Sequence, residues 1–303
     1  MMKPNRMNKY FIKNLVFLFL LPLCICLSSC DLINPEEPLS AFLQINKFDF
    51  TTTEAEGAAS EQITDAWVFV EDISLGIYEL PVTVPVIELG SKSVTIFPVI
   101  RENATPSTPI IYPFYERYEE AVELIATETV TIQPNTMFLP QNTIFELVED
   151  FENSSHQLNG DTPDAIQIVE RPTRDGNISG VGQILLDGAT EVEFTSTATF
   201  LNLPTSGGLP VFLEIDYRTN IEFELGLVGI DPNPVQPINA VSYKIILCPI
   251  DRWNRVYVSF QPELAASQLP AYKLAFRAST NGLLANQTPE VLIDNVKFIR
   301  FQN

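Results

Sequence analysis

From residue 39 onward, apolar and polar side chains alternate in short runs that end at proline, glycine or asparagine. A repeat of two marks a strand with one face buried and the other in water. Ala41–Phe50, Thr64–Val70, Leu80–Ile87, Ser93–Ile100 and Thr127–Pro134 are the predicted strands of a first unit. Pro81 and Pro85 put the third of these at a sheet edge or a bulge, because proline has no N–H for the ladder. Tyr112–Leu124 fits two periods. Tyr115, Tyr118, Val122 and Ile125 would share a helix face, whereas Tyr112, Phe114, Tyr118, Val122 and Leu124 would share a strand face. Pro113 and the flanking strands favour the strand.

The same reading continues downstream. Ala165–Val169, Gly182–Leu186, Thr190–Leu201, Val211–Tyr217, Ile221–Val228, Val241–Cys248, Arg255–Phe260, Ala271–Arg277 and Val291–Phe301 are predicted strands, with Gly207-Gly208 and Asp231–Pro234 in loops. No stretch carries a convincing amphipathic helical stripe. The expected fold is all-β: an immunoglobulin-like or prealbumin-like sandwich over 39–135, a linker over 136–147, and a jelly-roll sandwich over 148–303.

Ahead of this pattern lies a different one. Lys3, Arg6, Lys9 and Lys13 form a positive head, followed by an apolar run from Asn14 to Leu27. A run of about 14 residues is short for a membrane span, which takes roughly 20. Head, run and small residues describe a signal peptide over 1–29. It ends in Leu27-Ser28-Ser29-Cys30, which resembles the lipobox of bacterial lipoproteins. That resemblance implies lipid on Cys30, a membrane as partner through that anchor, and a place in the bacterial cell envelope at the outer membrane. Residues 30–38, with Pro35 and Pro38, read as an extended tether. Asp31, Glu36 and Glu37 resemble export signals of Bacteroidota surface lipoproteins, but they form no dense cluster. Periplasmic and surface-exposed placements both remain open.

Charge narrows the partners. The chain has 18 Lys and Arg against 38 Asp and Glu, a net charge of −20. The leader holds four of the bases and none of the acids, so the remainder is more acidic still. Nucleic acid is excluded as a partner, since it needs clustered cations to displace counterions. Of four cysteines, Cys24 and Cys26 leave with the leader and Cys30 carries lipid. Cys248 is left without a disulfide partner and is expected in the core. One histidine, His156, sits in a polar loop, so neither a Cys–His catalytic pair nor a zinc site is expected.

Several short motifs agree in order. Phe151-Glu152, Val211–Arg218, Trp253–Tyr257 and Ile293–Lys297 together resemble the jelly-roll domains of exported bacterial lipoproteins, which are similar to carbohydrate-binding modules. Ala66–Val70 and Tyr112–Tyr115 look like the N-terminal half of the same uncharacterised Bacteroidota lipoproteins. The resemblance implies a non-catalytic binding protein with a glycan, a polysaccharide, as the leading ligand class. A structural or assembly lipoprotein contacting other envelope proteins is the alternative, and a glycoside hydrolase the third.

The candidate residues follow. Glu214, Asp216 and Arg218 fall on one strand face. Jelly-roll glucanases are similar there but carry three alternating carboxylates, and Arg218 stands where the acid/base would be. The expected role is two acids and an arginine on a half-exposed face. Trp253 and Tyr257 share a face and are candidates for stacking on a sugar ring. Tyr112, Tyr115 and Tyr118 with Arg117 would form either an exposed aromatic patch or packing between sheets. Glu152 and Asp294 match positions that, in calcium-bearing jelly rolls, hold a structural ion. No other cofactor is expected. Trp67, between apolar neighbours, is expected in the core.

Overall fold

A computed structural model describes residues 38–160, 165–186, 188–206, 208–233, 236, 238–281, 283 and 287–302. The leader, Cys30 and the tether up to residue 37 lie outside the described residues.

The first unit runs through β1 (Ala41–Ile45), β2 (Asp49–Thr51), β3 (Asp65–Val70), β4 (Ile73–Glu79), β5 (Val82–Val86), β6 (Gly90–Arg101), β7 (Pro109–Ile111), β8 (Tyr118–Leu124), β9 (Thr129–Ile132) and β10 (Asn135–Met137). One sheet has the order β5-β1-β9, with β1 and β9 parallel. The facing sheet has the order β4-β3-β6-β7, with β8 also paired to β6. Alternation explains the core between them. Ala41, Leu43 and Ile45 meet Ala66, Val68, Val70, Val94 and Ile96, all fully buried. The ambiguous segment is a strand only from Tyr118. Val122 and Leu124 point into this core, while Tyr112–Arg117 turns away.

The second unit comprises β11 (Thr143–Glu149), β12 (Leu158–Gly160), β13 (Ile166–Pro172), β14 (Ile178–Ile184), β15 (Glu191–Ser196), β16 (Phe200–Leu201), β17 (Val211–Thr219), β18 (Glu222–Asp231), β19 (Ile238–Leu247), β20 (Ile250–Ser259), helix α1 (Gln261–Ser267), β21 (Ala271–Ser279) and β22 (Val291–Phe301). It is a two-sheet sandwich. The first sheet runs β13-β14-β22-β17-β20, with β11 also on β22. The second runs β12-β15-β21-β18-β19, with β16 on β21. Their inner faces share a large core that includes Leu213, Ile215, Phe223, Phe276, Ile293 and Phe298. At one end Gly182 passes under Phe151, whose ring lies 2.7 Å from where a Cβ would stand. A side chain at position 182 would have to displace the buried Phe151 ring.

Three expectations change here. Residues 136–147, expected as a linker, hold strand at both ends: β10 pairs with β2, and β11 pairs with β22. The helix α1 was not expected; Pro262 sits at its start, where the missing N–H costs no bond. Cys248 is exposed rather than buried, because β19 is an edge strand and ends there.

Candidate functional site

The outer face of the first sheet of the second unit holds most of the predicted residues. Period two sends Val211, Leu213 and Ile215 inward and Phe212, Glu214 and Asp216 outward. Register places Glu214 between Tyr257 and Lys297, and Asp216 between Arg255 and Asp294. These outward groups should be wet, yet Glu214, Asp216 and Lys297 are fully buried and Arg255 is nearly so. The first unit lies on top of them. A third apolar cluster joins its Ile100, Tyr112, Phe114, Tyr115 and Phe138 to Phe212, Tyr257 and Ile299.

Glu214, Asp216, Arg255 and Lys297 each have a partner. Arg255 pairs with Asp216 at 2.8 Å and also with Glu214. The Tyr112 hydroxyl donates to Glu214, and the Ser60 hydroxyl donates to Asp216. The Asn295 amide donates to Asp216 at 2.9 Å. Lys297 donates to the Ala58 carbonyl at 2.7 Å and lies over the Phe138 ring. Buried charges persist only when paired in this way. The pKa directions agree. Burial opposes the charge on Arg255, but Asp216 and Glu214 outweigh it and hold its pKa well above the ordinary value. Burial first, then Glu214, pushes the Tyr112 hydroxyl well up. Burial brings Lys297 down to about 8.

Several expectations are corrected by this cover. Tyr257 is not an open stacking surface: it is 2% exposed, and its hydroxyl accepts the Gln62 N–H at 2.8 Å. Tyr115, 4% exposed, lies 3.3 Å from it, hydroxyl to hydroxyl, so it is packing between units and not an exposed patch. Tyr118 is partly buried against the first core and donates to Glu120. The cation paired with the two acids is Arg255 on the neighbouring strand; Arg218, partly exposed, lies outside the cluster. Trp253 is partly exposed, and its indole N–H donates to the Pro172 carbonyl at 2.6 Å.

At the rim of the same face a cleft of about 670 Å³ opens between the units. Glu61, Arg174, Asn177 and Ser179 line it, as do Glu152 and Asp294. Arg174 also ties the units together through the Glu61 carbonyl. Glu152 is exposed and accepts from Ser179. Asp294 is 4% exposed. Burial, aided by Asp216, Glu152 and Asp150, raises its pKa to about 8, against the pull of the Asn295 N–H. The cleft therefore brings together the two residues proposed for calcium. Among the described residues no group of three or more His, Cys, Asp or Glu is placed to hold a metal. Asp150, Glu61 and Asp175 also line the cleft, but no three of its acids are grouped closely enough to share the 6–8-oxygen shell calcium takes, so their placement does not fit that ion.

A second open feature lies on the first unit. Trp67 and Phe69 point outward from β3, not into the core, because Val68 and Val70 take the inward positions. Trp67 lies opposite Phe97 on β6 and Ile77 on β4. Adjacent ring centroids are 5.3 Å (Trp67–Phe69) and 5.6 Å (Phe69–Phe97) apart. Composition around Trp67 hid this, since both faces of the strand are apolar.

No family model matches the chain, and no curated protein does. Solved structures show distant likeness. The C-terminal family 22 carbohydrate-binding module of Clostridium thermocellum Xyn10B is 12% identical, with 51% of this chain and 91% of that chain covered at a TM-score of 0.35. The CBM22-2 xylan-binding domain from Paenibacillus barcinonensis Xyn10C is 12% identical, with 52% and 99% covered and a TM-score of 0.35. The enzymatically active domain of bacteriophage CBA120 tailspike protein 4 is 12% identical, with 56% and 25% covered and a TM-score of 0.37. At these values the likenesses decide neither ligand nor reaction.

Proposed function

We propose that the chain is a lipoprotein of a bacterial cell envelope, anchored through Cys30, whose folded body binds a glycan without cleaving it. The leader and Leu27–Cys30 support the anchor. The observation that carries glycan binding is the cleft between the units. Hydroxyl, amide, carboxylate and guanidinium groups from both units converge there: Ser60 and Glu61 from one, Thr173, Arg174, Asn177 and Ser179 from the other. Such groups match the dense hydroxyls of a sugar, and a concave site with a few placed polar groups suits a small-molecule or chain-end ligand. The glucanase-like route to cleavage is closed, because Glu214 and Asp216 are buried, both paired to Arg255.

Hydrolysis at the cleft itself is the second reading, and one observation favours it. Asp294 keeps its proton to about pH 8 beside other carboxylates. A protonated acid near an ionised one is the arrangement a glycosidase uses. The test is one experiment with two readouts. Full-length protein in detergent is run through gels cast with neutral polysaccharides, and the same polysaccharides are assayed for new reducing ends. Retention without new ends supports binding. New ends that vanish in Asp294→Asn support hydrolysis. No retention on any glycan, with co-purification of an envelope protein, would establish the assembly role instead.

A further inference from the structure

The outward face of the first unit carries a row of rings that no fold requirement explains. Cross-strand register sets Ile77, Trp67 and Phe97 side by side on β4, β3 and β6. Phe69 sits in the next row, opposite Ser74 and Thr95. Core packing is fully served by the other set, Ala66, Val68 and Val70. The three rings are only partly covered, and Ile77 beside them is 40% exposed. A monomer that keeps contiguous aromatic surface in water normally uses it.

The row does not end in open solvent. At Phe97 it runs into a cleft of about 420 Å³, lined also by Ile111, Pro113, Arg117 and Leu139. The Arg117 guanidinium lies 5.9 Å from the Phe97 ring centroid. Arg117 also pairs with Glu119 at 3.1 Å, and both side chains are more than half exposed. Ser74 receives the Trp67 indole N–H at 2.7 Å, which fixes the plane of that ring. An apolar floor thus meets a cation, a carboxylate and a hydroxyl at its border.

We infer that this face, Trp67, Phe69 and Phe97 with Arg117 and Glu119, is a second glycan-contact surface, and that its ligand is an uncharged polysaccharide. The inference rests on the glycan reading above but concerns a different surface. The aromatic faces take the C–H face of a sugar ring, the electropositive complement to a ring's negative face. Arg117 and Glu119 reach the equatorial hydroxyls at its edge. Charge decides between neutral and acidic polymers. A chain of net charge −20, with Glu116 lining the cleft at Phe97 and Glu119 on the strand beside it, repels an anionic glycan.

The test uses full-length protein in detergent with Trp253→Phe as background, so that Trp67 is the only tryptophan left. Oligosaccharides of xylan, mannan and β-glucan are titrated against tryptophan emission, with polygalacturonate as the anionic control. A shift in Trp67 emission with a neutral oligosaccharide is expected, and none with polygalacturonate. Phe97→Ala should weaken that binding by about tenfold, as loss of an aromatic contact does. Trp67→Phe should keep part of the retention on gels and Trp67→Ala little of it, with each variant still unfolding cooperatively. Retention that survives Trp67→Ala and Phe97→Ala but is lost in Arg174→Ala would overturn this surface and leave the cleft standing. A shift with polygalacturonate alone would overturn the uncharged ligand. No retention of the unmutated chain on any glycan would overturn both.

Discussion

Two sheet faces of this protein invert the ordinary rule. The outer face of β17, β20 and β22 carries Glu214, Asp216, Arg255 and Lys297, and it is buried. The outer face of β3 and β6 carries Trp67, Phe69 and Phe97, and it is open. The difference lies in what each face meets. The charged face is stabilised by its own internal pairing and by groups brought from the first unit: the hydroxyls of Tyr112 and Ser60 and the carbonyl of Ala58. Those groups take the places that water or a ligand would fill. The aromatic face meets only its border, Arg117 beside the Phe97 ring and Ser74 on the Trp67 indole, and its rings stay partly exposed. One face has been used to join two units, and the other remains for a partner.

The largest way to break the comparison is at Arg255. Arg255→Met leaves Glu214 and Asp216 buried without their cation, and the expected loss is about 3–5 kcal/mol in urea unfolding. Adding Glu214→Leu and Asp216→Leu in the same chain should return part of it, since an apolar replacement of a buried ion pair is often near neutral, but it leaves the Tyr112 and Ser60 hydroxyls and the Asn295 amide without acceptors. Tyr112→Phe removes one hydroxyl from Glu214 and should cost about 1–3 kcal/mol, the penalty of an unsatisfied buried group. A loss near zero in either would mean that water reaches this face.

The pH dependence is a finer probe. Folded Asp294 holds its proton to about 8, against an ordinary value of 3.8. Between those values the folded chain binds the extra proton, so this group makes stability fall as pH rises. Asp216, Glu152 and Asp150 face it. Lys297 acts in the opposite sense: its pKa is lowered from 10.5 to about 8, so above pH 8 the unfolded chain binds the extra proton and stability rises. A stability minimum near pH 8 is the expected sum of the two, seen in urea midpoints across pH 5–10. Asp294→Asn should remove the falling limb and leave the rising one.

The smallest effects belong to the open face. Trp67→Ala should cost less than about 1 kcal/mol, because it deletes surface contacts and one exposed hydrogen bond. Added calcium should leave the thermal midpoint unmoved, as no three acids among the described residues are grouped to share the ion. A midpoint that climbs with calcium would restore Glu152 and Asp294 as ligands.

Much of the fold was legible in the residues. Alternation located β3, β6, β17, β20 and β22, because a period of two is enforced by the pleat. It also put Glu214 and Asp216 together on one outward face, which is where they lie. What alternation does not carry is the cover. Tyr112 reaches Glu214 across 102 positions, and Ser60 reaches Asp216 across 156. No local pattern encodes contacts of that separation, so a face read as half-exposed became the interior between two units. Trp67 failed for the reverse reason. Trp67-Val68-Phe69-Val70 is apolar at every position, and a period of two cannot show which half faces water. Cys248 failed similarly, since an edge position is a property of the assembled sheet.

The central claim, that the charged face is sealed and the aromatic face is open, has a direct test. Hydroxyl-radical footprinting of the native full-length protein, read by mass spectrometry, compares the two faces in one sample. The account predicts rapid oxidation of Trp67, Phe69 and the exposed Cys248, with Tyr112, Tyr115 and Tyr257 protected until the chain is unfolded. Oxidation of Tyr257 at the rate of Trp67 would contradict it, because the first unit would then not be covering the sheet.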